Sequence, residues 1–410
     1  MTVETDQEVS EVIIKSVHNP KTNSTYKPCL LVGLFHIWHC FRYDISRKIG
    51  TMCPQIMNPI LIKFTHIPGL QEVVLGELQG FPKVSIVSKG DEEVYAAMVP
   101  NLPSLRRLKS VLNVYLVKQG KDFHPKYVSN HKSMLGELIA TVIKNGQETF
   151  KTFKLSCAGA DSPEVLEIKR YILETYKLTE SEEADIEIFI GKTGDVWEVG
   201  VRLSSRPLTL RDYKVENIKG GLNPTIAYAM NSLCGFGNVP DDENTHNVAS
   251  YLNVFSGSAT LLIEAALATP KDRLPKMQFL GFDNNGKSIA KAVSNIKKAG
   301  LIKNIQLKNA DVLDKPELGA FDVITSDLPF GMQIAKNEDL EKLYSAFLSF
   351  AESALKPDGT MVAYTTEDEL FEKLLATSRF TITKKMDLKV STVLGIYIYP
   401  TIFVCTFLHK

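Results

Sequence analysis

From Tyr251 to the C-terminus the chain alternates short apolar runs with amphipathic stretches. YLNVF, a helical segment from Ser258, FLGFD, a helical segment from Gly286 to Ala299, IQLKN, FDVITS, a helical segment from Leu340 to Leu355 and MVAYT follow one another. This order constrains the fold more than any other feature. Parallel strands need a crossover between them, and a helix supplies it. Strands covered on both faces read as nearly continuous apolar runs. The expectation is a parallel sheet with helices on both sides, receiving ligands at the carboxyl ends of its strands. The last two strand runs, TITKKMDLKV and IYIYPTIFVCTFL, have no helix between them and are expected to pair as a hairpin at one edge.

The preceding half has a different texture. From Met57 the sequence gives strand ILIKF, amphipathic helix LQEVVLGELQG, and strands KVSIVSK, VYAAMV and SVLNVYLVKQ. HKSMLGELIATVIKN puts Leu135, Leu138, Ile139, Val142 and Ile143 on one helical face. FKTFKLSC, helix PEVLEIKRYILETY and the strands ADIEIFIGK and VWEVGVRLS complete an α+β pattern. At 410 residues several domains are expected. The divisions read as an extension over 1–56, α+β units over 57–120 and 121–213, a linker with a helix over 214–245, and the α/β domain over 246–410. In the linker, NPTIAYAMNSL offers Asn223 as helix cap and Pro224 in the first turn.

Charge and cysteine usage narrow the class. A formal net charge of zero argues against generic nucleic-acid adsorption but leaves room for local patches. One candidate runs from Arg106 to Lys154, where ten Lys or Arg face only Asp122, Glu137 and Glu148. Arg106, Arg107, Lys126, Lys132, Lys151 and Lys154 are its candidate phosphate contacts, with a solvated helix face as the plain alternative. Six scattered cysteines without a CxxC pair suggest neither zinc nor disulfides, so a reducing, cytoplasmic setting is expected. LLVGLFHIWHCF, residues 30–41, is too short to span a membrane and lacks the flanks of a signal peptide. Its His36, His39 and Cys40 have no second ligand cluster, and no metal site is expected.

Four stretches carry chemistry. In NVFSGSATLLIEAA a strand beginning near Asn253 runs through Ser256, Gly257, Ser258 and Ala259 into a helix, a turn that lets backbone amides approach a ligand or simply turns tightly. FLGFD ends on Asp283, where an acid can hold ribose hydroxyls or cap the next helix. KNADVLD puts Asp311 after the third strand, within reach of an adenine amino group, with Asp314 as substitute. FDVITSDLPFG then stops a buried strand on Asp327, followed by Leu328, Pro329, Phe330 and Gly331. An acid beside a ring suits a flat polar group; it is also ordinary loop grammar.

In this combination and order, residues from about 220 onward resemble the class I S-adenosylmethionine-dependent methyltransferases that modify exocyclic amino groups. GLNPTIAYAMNSL, NVFSGSATLLIEAA and DLPFGMQIAKNEDLEKLYSAF together resemble the tRNA guanine-N2 methyltransferases that carry a THUMP domain. The α+β half is similar to that family's ferredoxin-like plus THUMP RNA-binding module. The resemblance implies a Rossmann-like seven-stranded domain, S-adenosyl-L-methionine as cofactor and tRNA as partner, with position 6 of the acceptor stem as one target. It leaves room for a small activating subunit, for ribosomal RNA as the substrate, or for a noncatalytic RNA-binding protein. By the same carry-over, Asn253, Ser256, Gly257, Ser258, Asp283 and Asp311 would bind the cofactor. Asp327 and the Leu328 carbonyl would accept from the amino group, while Phe330 stacks on the base and Pro329 limits how far the two drift. The chain departs from the family pattern at Asn253, usually Asp; at Ala259, usually Gly; at Leu328, usually Pro; and near Gln333, where Arg is common.

Overall fold

The computed structural model describes residues 60–81, 84–97, 101–146, 149–237, 248–330, 340–392 and 395–407. The N-terminal extension, with His36, His39 and Cys40, lies outside them, as do Gly331 and Gln333.

The first half is built on one eight-stranded sheet, in the order β2-β3-β1-β4-β8-β7-β5-β6. Its strands are β1 (Leu61–Thr65), β2 (Ile86–Lys89), β3 (Glu93–Ala97), β4 (Asn113–Gly120), β5 (Thr152–Cys157), β6 (Thr179–Glu180), β7 (Ile186–Thr193) and β8 (Val196–Arg202). β4 pairs with β8 antiparallel, so the sheet runs without a break through the division expected at 120/121. The helices α1 (Gln71–Gln79), α2 (Val128–Asn145) and α3 (Pro163–Tyr176) bury Val74, Leu135, Leu138, Ile139, Val142, Ile168 and Ile172 in its core. Ile143, expected on the same face of α2, is instead 42% exposed. Val142, one residue earlier in the same turn, is fully buried, so Ile143 sits at the margin of the apolar stripe.

The second half opens with α4 (Pro224–Ser232), capped by Asn223, whose side chain accepts from the Thr225 amide. It then forms the expected sheet from β9 (Ser250–Val254), β10 (Gln278–Asp283), β11 (Ile305–Asn309), β12 (Phe321–Asp327), β13 (Leu355–Thr365), β14 (Phe380–Asp387) and β17 (Thr401–Phe407). The order is β11-β10-β9-β12-β13-β17-β14, all parallel except β17, which is antiparallel to both neighbours. Part of the expected final strand, IYIY, leaves this sheet: β15 (Val390–Ser391) and β16 (Tyr397–Ile398) form a separate two-stranded ribbon.

Helices α5 (Thr260–Ala268) and α6 (Gly286–Lys298) cover one face, while α7 (Leu340–Ala354) and α8 (Asp368–Leu375) cover the other. The strand order reverses between β9 and β12, and the crevice above such a switch is where α/β sheets receive ligands. The two halves share core: Ile67, Leu70 and Val73 pack in one apolar cluster with Tyr213, Met386 and Leu388. A buried acid ties them further. Glu264 of α5 accepts from Arg211 Nε at 2.8 Å and Tyr213 Oη at 2.7 Å, and Arg211 also donates to the Lys109 carbonyl at 3.0 Å.

Candidate active site

At the switch, β9 runs into the loop 255–259. The backbone φ is 56° at Phe255, 51° at Gly257 and 64° at Ala259, all in the left-handed region. For a residue with a Cβ this costs roughly 1–2 kcal/mol. At Gly257 glycine avoids that cost, and a Cβ there would also push aside Ile218, whose Cδ1 would lie 2.8 Å away. The helix expected from Ser258 begins at Thr260, with the fully buried Ala259 as its cap residue. Sequence periodicity cannot see this offset, since a left-handed cap interrupts helical backbone without interrupting apolar spacing.

Asn253 is buried, and its Nδ2 donates to the Thr325 carbonyl at 3.1 Å, bridging β9 and β12. Its Oδ1 has no partner, and neither has Ser256 Oγ. Both residues line the cavity that also takes in Gly257, Asp283 and Asp327. A buried polar atom left unpaired costs about 1–3 kcal/mol, and such atoms are rare enough to need an explanation. Here both belong to residues that border one cavity, where a ligand would satisfy them.

Asp283, at the tip of β10, accepts from the Gly257 amide through one oxygen and from the Asn285 amide through the other, both at 2.9 Å. Asn285, rather than Asp283, caps α6. Asp311 lines no part of the cavity. One of its oxygens accepts from Asn284 Nδ2 and the other from the Leu313 amide. Asn284 itself lines the cavity, so Asp311 reaches it through that side chain.

At the tip of β12 two backbone groups are tied down. The Leu328 amide donates to the Tyr364 carbonyl at 2.9 Å, and Tyr344 Oη donates to the Pro329 carbonyl at 2.9 Å. These bonds hold SDLPF against α7 and β13. The Asp327 carboxylate, by contrast, meets no donor within hydrogen-bond distance among the described residues and faces the cavity beside Phe330. Burial pushes its pKa up to about 7, and the charge of Lys214 opposes the rise. Lys214 is in turn pulled down to about 8 by burial, with the Asp327 and Glu264 charges opposing. Its Nζ donates to the Leu222 carbonyl at 2.6 Å.

Lys214 belongs to a segment that reads in sequence as mere connection. Ile218, Gly220 and Leu222 from the same stretch wall the cavity. Asn295 of α6 bonds the Glu216 amide and carbonyl and the Ser258 carbonyl, and Lys291 donates to the Asn217 carbonyl. The linker is thereby pinned against the cavity. No periodic pattern marks such a strap, which is why a reading by periodicity passes over it.

The basic candidates divide. The Arg106 guanidinium is engaged with the Leu203 and Asn145 carbonyls, a structural role. Lys132 pairs with Glu167 and Lys154 with Glu182, each at 2.7 Å. Arg107, Lys126 and Lys151 are exposed. The basic run in sequence is therefore partly neutralised by acids from α3 and from the segment before β7.

Residues 211–395 match the family model UPF0020, described as an RMKL-like methyltransferase domain. This part of the chain is similar to the methyltransferase domain of that family. Beyond the methyltransferase domain, a tRNA (guanine(6)-N2)-methyltransferase of Methanocaldococcus jannaschii is 24% identical over 352 residues, 76% of this chain and 86% of that one. The mouse U6 snRNA (guanine-N(2))-methyltransferase THUMPD2 is 31% identical over 185 residues, 45% of this chain. That match spans about a third (31%) of THUMPD2. TrmN from Thermus thermophilus has the same fold, with a TM-score of 0.63, 21% identity, and coverage of 85% of this chain and all of TrmN.

Proposed function

We propose that the protein transfers a methyl group from S-adenosyl-L-methionine to the exocyclic N2 amino group of a guanosine in tRNA. The observation that carries this reading is one cavity joining the unbonded Asp327 carboxylate and Phe330 to two unpaired buried polar atoms, inside a methyltransferase domain. The named relatives act on guanine N2. A match over 76% of the chain must include part of the N-terminal half, whereas one over 45% need not. That difference favours the tRNA of the archaeal relative over U6 snRNA.

The donor set fits the cofactor. Asn253 Oδ1 suits an ammonium, Ser256 Oγ an ammonium or carboxylate, and the Asp283 carboxylate keeps lone pairs for hydroxyls after its two backbone bonds. When bound, S-adenosylmethionine supplies an electrophilic methyl group on a positively charged sulfonium. An aromatic amine is a poor nucleophile because its lone pair is delocalised. Asp327 accepts a hydrogen bond from the amino group, with the Leu328 carbonyl as second acceptor, and draws the nitrogen toward tetrahedral geometry. With a pKa near 7, Asp327 also takes the released proton at neutral pH. Phe330 stacks on the guanine, and the α+β half, read as a THUMP-containing module, holds the RNA through Arg107, Lys126 and Lys151.

The test is incubation with tritiated cofactor and unmodified tRNA transcripts, followed by nucleoside mass spectrometry. N2-methylguanosine is expected. Binding of the cofactor in calorimetry without any transfer to tRNA would overturn the proposal.

A further inference from the structure

Between β14 and β17 the chain leaves the sheet as the ribbon of β15 and β16. Its base is fixed: the Leu388 amide donates to the Pro400 carbonyl at 2.8 Å, and the Lys389 amide donates to the Pro68 carbonyl of the N-terminal half at 3.2 Å. Three of its described apolar side chains are bare. Ile396, Tyr397 and Tyr399 are 59%, 52% and 65% exposed. One exposed apolar side chain is ordinary, but three within four residues of a short ribbon make a patch.

Strand register locates this patch. Asp327 pairs with Tyr364, Tyr364 with Ile402, and Thr401 with both Thr365 and Asp387. The ribbon therefore rises from the same edge of the sheet as Asp327. At roughly 4.8 Å per strand, β17 stands about 10 Å from β12. Lys389 Nζ lies 4.5 Å from the centroid of the Tyr397 ring, and Tyr397 as a whole stays half exposed.

We propose that this ribbon is a nucleotide clamp: Tyr397 and Tyr399 stack on bases of the substrate RNA next to the methylated guanosine, and Lys389 meets a flanking phosphate. The inference rests on the RNA methyltransferase reading above and adds the surface that holds the strand beside the target. Three features favour RNA over a protein partner. The patch stands at the catalytic edge, its base joins the two halves, and it combines aromatic faces with a cation. Two residues of extended chain span about 6.6 Å, close to the gap that one base fills between two rings. Stacking of this kind tolerates any base, so the clamp steadies the strand while other groups choose the nucleotide.

The experiment compares wild type, Tyr397→Ala/Tyr399→Ala and Tyr397→Phe/Tyr399→Phe on a pool of unmodified tRNA transcripts. The expected result is a rise in the RNA Kd and in KM of roughly 5- to 100-fold per lost stack in the alanine pair. Cofactor affinity and Tm stay unchanged, kcat at saturating RNA stays within about twofold, and the phenylalanine pair recovers wild-type values. Transcripts carrying 4-thiouridine crosslink to this ribbon on irradiation. Wild-type RNA affinity and KM in the alanine pair overturn the clamp. So does a wild-type dimer in sedimentation that the alanine pair converts to monomer, since the patch would then be covered by a second copy. A wild-type protein that binds cofactor but neither binds nor methylates RNA overturns the parent reading as well; the two failures differ because there the wild type itself is inactive.

Discussion

The tips of β9 and β12 are neighbours in one sheet, yet they are built in opposite ways. At β9 the backbone is strained, with three left-handed residues in five, and two buried polar side-chain atoms go unpaired. At β12 the peptide groups of Leu328 and Pro329 are tied to Tyr364 and Tyr344, and a single carboxylate is left unbonded. A site that must close around a ligand keeps its unmet bonds for that ligand. A site that must hold one reactive contact spends its bonds on rigidity. The difference predicts that changes at β12 fall on turnover and changes at β9 on cofactor affinity and stability.

The largest effect is expected at Asp327. Replacing it with Asn lowers kcat about 10²- to 10⁴-fold with little change in cofactor affinity. An equal loss of cofactor binding in calorimetry would erase the contrast between the tips. The same substitution tests the cost of the site. A carboxyl raised to about 7 in the folded state contributes stability that is full below its unfolded pKa near 4 and is lost as pH rises through 7. Asp327→Asn is therefore expected to raise Tm, by more at pH 8 than at pH 4.

Next comes Phe330→Ala, which removes one stacking face and is expected to raise the KM for RNA roughly 5- to 100-fold while cofactor binding holds. A pH profile sharpens the role of the strap. With Asp327 needed in its ionised form, kcat/KM should climb about tenfold per pH unit and level off above pH 7. Because the Lys214 charge opposes the rise at Asp327, Lys214→Met should move that inflection to higher pH. An unmoved inflection would disconnect the two.

The smallest effect is expected at Ala259. Glycine there relieves roughly 1–2 kcal/mol of left-handed strain but gives up a buried methyl worth about 0.8 kcal/mol. The net is a gain of at most about 1 kcal/mol, read as a rise in Tm of about 2 °C or less. A clear loss in thermal unfolding would mean that the methyl packs more tightly than the backbone is strained.

Much of this molecule is legible without coordinates, because its signals are local and repeated. Continuous apolar runs separated by helical spacing dictate a parallel sheet, since no other pairing buries both faces of such strands. The order of motifs then puts Asn253, Asp283 and Asp327 at successive strand ends, and the switch between β9 and β12 brings them to one crevice. Asn223 as a cap is equally local. What needed the tertiary structure depends on partners distant in sequence. Lys214 matters because Asp327, more than a hundred residues away, folds beside it. Arg106 is held by carbonyls, and Lys132 and Lys154 are paired with acids, all from elements distant in sequence. Asp311 meets the cavity lining only through Asn284, and the exposed tyrosines gain meaning only from the register that carries them to the same end of the sheet as Asp327. Spacing along a chain determines which side chains share a face. Which charges and empty lone pairs remain once every neighbour has taken its bond is decided only when the chain is folded.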